Sequence, residues 1–452
     1  MKKVLVANRG EIACRIIRAL KELSIKSVAI YSMVDKNSLH VKYADEAVCI
    51  GNSSAQESYL NISRIIAAAE ITGADAIHPG YGFLSENALF AEIVESSGLV
   101  FIGPSSFLIK SLGDKIQAKN FAKSLSCPVI PGTENKVETL SDGLKEAKKI
   151  KYPLMIKSSA GGGGRGIKVA FNEQEFINLY PLSKKEALAC FGDDSIFLEK
   201  KIKNPKHIEV QIAADKFGNV VHFYERDCSL QRRAQKLIEE TLSPSLDEKK
   251  REEICNAAVN LVKKAGYYSL CTVEFLLDGD GNFYFMEINT RIQVEHTVTE
   301  ELTGYDLVVL QIEIAMGKKL SMDQKDIKAK GHVMEFRINA EDPKNGFKPS
   351  PGVLNVYIPP FGKDLRIDSS LYSGGIISPY YDSMVAKLIV KGNTREQVII
   401  RSCAILKEFI IEGVCTTISF YLWLLNTEEF QKNQHHISFV DIMIEQGECF
   451  VE

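Results

Sequence analysis

The sequence predicts an α/β fold that passes into α+β: a parallel sheet covered by helices, then mixed strands and helices, then a strand-rich part closed by helices. Three features carry this expectation. Short β-branched runs alternate with amphipathic helical patterns over the first hundred or so residues. A cluster of adjacent glycines lies between two strand-like segments, and beyond about Lys330 turns rich in Pro and Gly separate further strands.

In chain order, Lys3–Ala7 reads as a first strand, Glu11–Leu23 as a helix and Ser27–Tyr31 as a second strand. Ala76–Pro79 precedes a helix-like Glu86–Ser96, and Val100–Gly103 closes the series. The turn Asn8–Glu11 has one glycine where a dinucleotide fingerprint needs three, which argues against NAD. From about Gly113 the pattern becomes helix, strand, glycine loop and strand. It is followed by a hairpin over His207–Arg226 that turns at Lys216–Asn219, and by a helix over Asp247–Ala265. Cys271–Leu277 is another strand, joined by the turn residues Asp278–Asn282 to the stretch Glu287–His296. Val333–Asn339 opens the last part, and helices end the chain. No repeat, low-complexity tract or long linker interrupts it, so the parts are expected to pack as one body.

The chain has 452 residues, 45% hydrophobic and 25% charged, enough for a large core divided among two to four domains. Disordered and fibrous classes are excluded. A formal net charge of -3 gives no global attraction for nucleic acid or an anionic membrane. No apolar run approaches a membrane span, and the N-terminus enters a strand at once, so a cytoplasmic protein is expected. The ten cysteines are scattered without a Cys-x-x-Cys pair and read as reduced packing residues; Cys228, in a polar segment, fits that reading least well.

If Glu287–His296 is extended, Glu287, Asn289, Arg291, Gln293 and Glu295 share one face, and Ile288, Ile292 and Val294 face a core. Glu274 on the preceding strand then lies near Glu287 and Asn289. Two carboxylates and an amide are hard oxygen ligands suited to magnesium beside a substrate's phosphates. A strand with one solvated side gives the same alternation. Ala160–Gly166 is a candidate phosphate-covering flap, because consecutive glycines let backbone N–H groups approach phosphate oxygens; the Gly-Lys-Ser/Thr ending of a Walker loop is missing. Lys157, which ends an apolar strand, and Lys115, at a helix start, are cations in reach of such a loop. Composition leaves Glu225–Lys236 open between a solvated strand edge and a functional segment, and a plain hairpin position is the ordinary reading of a lone His207.

Taken together, Asn8–Ala13, His78–Glu86, the glycine loop, Glu225–Ser229, Met286–His296 and Phe336–Glu341 resemble biotin carboxylase, an ATP-grasp family. The resemblance runs from the first residues to about Ala386 and is looser beyond. It implies a Rossmann-like domain at 1–113, an ATP-grasp domain at 114–330 with a lid at about 131–203, and a C-terminal biotin carboxylase domain at 331–452. The implied reaction is ATP-driven carboxylation of biotin on a biotin carboxyl carrier protein, with bicarbonate as carbon source and magnesium or manganese at the nucleotide.

By the same resemblance, Lys115, Lys157, Gly163, Gly164, Glu199, Lys200, Ile202, His207, Gln231, Glu274 and Glu287 would contact ATP, and Glu274, Glu287 and Asn289 would hold metal. Lys236, Arg291, Gln293 and Val294 would position bicarbonate, with Glu295 as its base. Arg337 would meet biotin, with Tyr81 at the pocket edge.

Two departures stand out. Ala160 replaces a glycine at the loop's opening, and Ala234 a histidine of the family's Arg-Arg-His-Gln-Lys run, which implies weaker ATP binding. Met384–Lys387 only superficially resembles the family's biotinylation motif, and no carboxyltransferase segment is evident. Carrier and carboxyltransferase subunits are therefore expected on other chains, in an acetyl-CoA carboxylase or in a separate-subunit pyruvate or other acyl-CoA carboxylase, with a homodimer as the family's habit. Two rivals share parts of the pattern: another ATP-grasp ligase, which has no need of Glu295 and Arg337, and a noncatalytic nucleotide-binding subunit, which has no need of the metal ligands.

Overall fold

The computed structural model describes residues 1–159 and 167–447. Residues 160–166, with Ala160, Gly163 and Gly164, lie outside the described residues. The N-terminal strands β1 (Lys3–Val6), β2 (Lys26–Ser32), β3 (Glu46–Gly51), β4 (Ala76–His78) and β5 (Val100–Phe101) form a parallel sheet in the order β3-β2-β1-β4-β5. Helix α1 (Gly10–Glu22) buries Ile12, Ala13, Ile16, Ile17 and Leu20 against it, the apolar stripe its spacing predicts.

Strand order reverses between β1 and β4, which opens a crevice at their C-terminal ends. Asn8 closes its floor by donating Nδ2 to the carbonyls of Pro79 and Tyr81 at 2.8 and 2.7 Å. Gly80 has φ +62°, and a Cβ there would stand 2.9 Å from that amide nitrogen, so the close approach requires glycine. Beyond the anticipated elements, the sheet includes β3 and a helix Ile62–Thr72, capped by the Asn61 side chain and ended by left-handed Gly73.

A small antiparallel sheet follows, β6 (Leu154–Ser158) between β7 (Ile167–Ala170) and β8 (Ile196–Lys200). The helices Leu140–Ile150 and Glu173–Phe191 give it a core of its own around Leu154, Ile156, Phe176 and Leu198.

The largest sheet has eight strands. It uses β9 (Lys206–Ala214), β10 (Val220–Arg232), β11 (Gln235–Thr241), β12 (Ser269–Leu277), β13 (Phe283–Asn289) and β14 (His332–Asn339), with the strands Met384–Gly392 and Leu365–Ser369 beyond β14. Its order is β13-β12-β9-β10-β11-β14, then those two. Pairing of β11 with β14 carries the sheet without a break across position 330. The helix Glu248–Lys264 covers β9, β10 and β12 through Ile254, Ala258, Leu261 and Val262.

One expectation is corrected and one open reading is decided. The extended row of Glu287–His296 stops at Asn289, where the ladder with β12 ends, and the chain turns before the helix His296–Thr303. Period-two patterning reports side-chain polarity and not whether a partner strand continues. Gln293 and Glu295 are accordingly buried, while Val294 is only half-buried and offers its carbonyl to Lys387. The Glu225–Lys236 segment is no solvated edge, because β10 lies between β9 and β11 with Glu225, Arg226, Asp227 and Ser229 all buried. The Arg226 guanidinium is balanced by Glu209 at 2.5 Å, Gln211 at 2.7 Å, Thr299 at 3.0 Å and Thr272 at 3.2 Å. These partners meet the cost of burying a charge.

Candidate active site

One face of the large sheet gathers carboxylates and cations from six segments. Register places Glu274 opposite both Glu287 and Glu209, so β9, β12 and β13 present three acids in a row. Lys236 on β11 reaches into them. Its Nζ donates to Glu209 at 2.6 Å, to Glu295 at 2.5 Å and to Glu274 at 3.4 Å. Glu295 stands at the start of the helix His296–Thr303, and its other oxygen accepts from Arg337 Nη2 at 2.9 Å. Arg337 on β14 also donates Nε to Glu239 at 2.6 Å.

Burial alone would raise the pKa of Glu295, but Lys236, Arg337 and Arg226 outweigh it and hold the carboxyl well below its usual range. Lys236 is driven the other way: burial opposes its charge, yet the surrounding acids keep it well above the ordinary lysine value. Glu274 is likewise held ionised against burial by Lys236 and His207. Glu295, Glu274 and Lys236 are thus preset in their charged forms.

His207 is buried, with Nε2 3.0 Å from Glu274 and Nδ1 2.7 Å from Gln231 Nε2. His207 is a hairpin residue, as its sequence context suggests, and it also meets the Glu274 carboxylate. Asn289 donates Nδ2 to Glu274 at 2.7 Å, and Gln293 approaches the same oxygen at 3.5 Å. Arg291 is held by Glu86 at 2.9 Å and by Gln293 Oε1 at 2.9 Å.

Lys157 and Glu199 pair at 2.5 Å across β6 and β8, with Lys119 3.0 Å from the second oxygen. Lys115 begins the helix Lys115–Ser124 and pairs with Glu287 at 3.2 Å. Lys200 turns away, donating to the carbonyls of Lys151 and Tyr152 at 3.1 and 3.0 Å, and Ile202 follows β8 half-buried. Cys228 is fully buried, with Sγ 3.9 Å from Glu295, and burial pushes its thiol well above the usual value. It sits at the site as a protonated thiol.

The expected metal ligands fit a hard cation. Glu274 and Glu287 are like charges directly opposite in an antiparallel pair, a placement that costs stability unless positive charge is near. Their partners here are ammonium, imidazole and amide groups, and Glu287 is the more open of the two. Oxygen donors, one partly open to solvent, suit magnesium shared with a ligand's phosphates.

Glu209, Glu239, Glu335, Arg226, Glu86 and Lys387 were not anticipated as members. Glu209 had a signal in the polar alternation His207-Ile208-Glu209-Val210-Gln211; Glu239, Glu335 and Lys387 depend on strands that meet only in the folded sheet, Glu86 on a turn of the N-terminal domain, and Arg226 lies in the predicted hairpin opposite Glu209. Glu239 and Glu335 lie directly opposite one another, both fully buried. Burial raises Glu239 to about 7, against Arg337 and helped by Glu295, and raises Glu335 to about 8, against Lys387 and helped by Glu239. A carboxyl whose folded pKa exceeds its unfolded value stabilises while protonated and loses that contribution as pH rises. Stability should therefore fall between about pH 4.5 and 8. Glu335→Gln, which keeps an acceptor for the Thr297 hydroxyl, should raise the melting temperature by several degrees at pH 8.5 and leave it nearly unchanged at pH 6. Equal shifts at both pH values in thermal melts would reject this.

Fold and site together define an ATP-grasp ligase. Family models match in succession: the biotin carboxylase N-terminal domain over residues 1–109, the carbamoyl-phosphate synthase L chain ATP-binding domain over 114–323, and the biotin carboxylase C-terminal domain over 335–442. Biotin carboxylase 1 of Bacillus subtilis is 49% identical over 442 residues, 98% of each chain. Biotin carboxylase of Nostoc sp. is 51% identical over 441 residues, 98% of this chain and 99% of that one. Among solved structures, the biotin carboxylase domain dimer of Hydrogenobacter thermophilus 2-oxoglutarate carboxylase, in complex with MgADP, ADP and bicarbonate, superposes with a TM-score of 0.95 at 46% identity, covering 98% of both chains. The chain belongs to the biotin carboxylase family.

Proposed function

We propose that this protein carboxylates biotin, borne on a carrier protein, using ATP and bicarbonate. The observation that carries the reading is Glu295 clasped between Lys236 at 2.5 Å and Arg337 at 2.9 Å: a buried carboxylate between two cations, one of which is shared with the acidic row. Lys236, Arg291, Gln293 and the Val294 backbone hold bicarbonate beside Glu295, which takes its proton. At rest Glu295 is a weak base because its cations are spent on it. When those cations turn toward the anionic substrate, its proton affinity rises.

The deprotonated oxygen attacks the γ-phosphorus of ATP, the bond to ADP breaks, and carboxyphosphate forms. Its breakdown yields carbon dioxide and phosphate, and the phosphate takes the ureido proton of biotin. Arg337 holds the resulting enolate oxygen by directed hydrogen bonds while the ureido nitrogen bonds to carbon dioxide, with Tyr81 at the pocket edge. Lys115, Lys157, Gly163, Gly164, Glu199, Lys200, Ile202, His207, Gln231, Glu274 and Glu287 serve the nucleotide. The ion pairs Lys157–Glu199 and Lys115–Glu287 are exchanged for phosphate contacts on binding. Glu274, Glu287 and Asn289 would hold magnesium or manganese, which neutralises phosphate charge when bound.

The lid at about 131–203, with its own core, is placed to exclude water from carboxyphosphate. A biotin carboxyl carrier protein and carboxyltransferase subunits complete the assembly, acetyl-CoA carboxylase being the first to test, with a homodimer as the expected state. The test is ATP hydrolysis measured with and without bicarbonate and free biotin. Bicarbonate dependence with stimulation by biotin supports the reading; hydrolysis indifferent to both rejects it.

Ala234 bears on nucleotide affinity. It occupies the two-residue turn between β10 and β11, where Arg233 and Ala234 have φ of 48° and 64°, and it is exposed. Histidine adopts such angles more readily than most residues. Ala234→His should therefore fold and lower the Michaelis constant for ATP about fivefold, the scale of one added hydrogen bond. An unchanged constant rejects that role.

A further inference from the structure

Lys387 is wholly buried, yet none of the roles above uses it. It lies in the strand Met384–Gly392, directly opposite Arg337 on one neighbour and Asp368 on the other. Side chains so paired share a face, so Lys387 stands in one row with Arg337, beneath the segment that leads into Glu295. Its Nζ donates to the Val294 carbonyl at 2.8 Å and lies 3.4 Å from Glu11 Oε1. Glu11 in turn accepts from the hydroxyl of Tyr81 in the crevice between β1 and β4. One ammonium therefore joins the C-terminal part of the sheet, the Gln293–Glu295 turn and the N-terminal domain.

We infer that Lys387 is a positioning residue: by holding the Val294 carbonyl it fixes the turn that presents Glu295 and the bicarbonate contacts, and through Glu11 it sets that turn against the Tyr81 edge of the biotin pocket. The inference rests on the reading of Glu295 as the base.

The chemistry of the position favours this over simple cohesion. A fully buried ammonium is costly, and an apolar side chain of similar length fills the same space without that cost. The charge is kept where Glu11, Glu335 and Asp368 surround it and its donor grips the Val294 peptide oxygen. That grip bears on the peptide between Val294 and Glu295, so a shift there displaces the base directly. Buried Lys387 is also closed to modification, in keeping with Met384–Lys387 being no biotinylation site.

The test combines Lys387→Met with Glu11→Gln, which removes both members of that pair, while Asp368 keeps Arg366 and Glu335 keeps the Thr297 hydroxyl. Steady-state kinetics should show kcat/KM for bicarbonate reduced about ten- to hundredfold, the range for losing a hydrogen bond from a charged donor. ATP affinity, measured by binding without turnover, should stay within about twofold, the additivity error for distant sites. A merely cohesive role would lower the melting temperature and leave the bicarbonate constants of the folded enzyme unchanged, which overturns the inference.

Should the double variant not fold, Lys387→Arg decides. It retains the charge but places a larger, planar head where a compact one fits. The expected result is a raised KM for bicarbonate at unchanged ATP affinity, and wild-type bicarbonate constants overturn the inference. Wild-type protein without bicarbonate-dependent hydrolysis would instead defeat the underlying functional reading, so the two failures are distinguishable.

Discussion

Glu295→Gln is expected to lower bicarbonate-dependent ATP hydrolysis by about a hundred- to ten-thousandfold, the span attributed to a positioned general base. The substitution keeps size and hydrogen-bonding shape, so Lys236 retains Glu209 and Glu274 and Arg337 retains Glu239. The variant should therefore fold and bind ATP. What it loses is the one carboxylate placed between Lys236 and Arg337, the site where a bicarbonate proton has somewhere to go. Rates are read from phosphate release against bicarbonate concentration. Activity within tenfold of wild type would remove Glu295 from the base role and leave the row of acids as a purely structural cluster.

The second large effect belongs to Arg337→Met. Carboxylation of free biotin should fall about a hundred- to a thousandfold, the scale for removing a donor from a developing oxyanion. Nucleotide binding should persist, because no ATP-facing residue named above depends on Arg337. The slow biotin-independent hydrolysis should survive better than the biotin-stimulated rate, so the ratio of the two is the diagnostic. Some stability is lost as well. Glu239 and Glu295 each lose a buried partner, and breaking such a pair costs about 3–5 kcal/mol. Circular dichroism on the same preparation separates that loss from the kinetic one. A biotin-stimulated rate equal to wild type would assign the enolate contact elsewhere.

Much of this was legible before folding because it is local. The parallel sheet announces itself in β-branched runs separated by helical spacing, and Asp114 before Lys115 marks a helix start by its capping side chain. The nearness of Glu274 to Glu287 and Asn289 followed from two strands and a short turn, but their direct pairing did not: the turn's register would set Glu274 against Met286, and a bulge between Glu274 and Phe275 brings Glu287 opposite instead. Other features were not legible because they depend on contacts distant in sequence. Arg226 reaches Thr299 and Lys387 reaches Glu11 on helices far along the chain, although the acid that balances Arg226, Glu209, sits on the neighbouring strand of its own hairpin. Nothing in the composition of Glu225–Lys236 distinguishes an interior strand with matched charges from a wetted edge. The end of β13 at Asn289 escaped for a related reason: alternation continues in the residues after it, but the chain turns away from β12, which itself runs on to Ser269.

The Glu239–Glu335 pair belongs to the same class. Each acid looks like an ordinary surface residue in its own strand, and only the β11–β14 register sets one against the other. Burial raises both pKa values, with Glu295 adding to the shift of Glu239 and Glu239 to that of Glu335, and makes a pH-dependent weakness of the sheet beside Arg337.

The most direct test follows labelled bicarbonate carbon onto free biotin in the presence of ATP and magnesium, for the wild-type protein and the Glu295→Gln variant side by side. The account predicts ATP-dependent carboxybiotin from the wild type and none above background from the variant. Label transfer that continues in the variant, or a wild type that cleaves ATP without moving label to biotin, would contradict it.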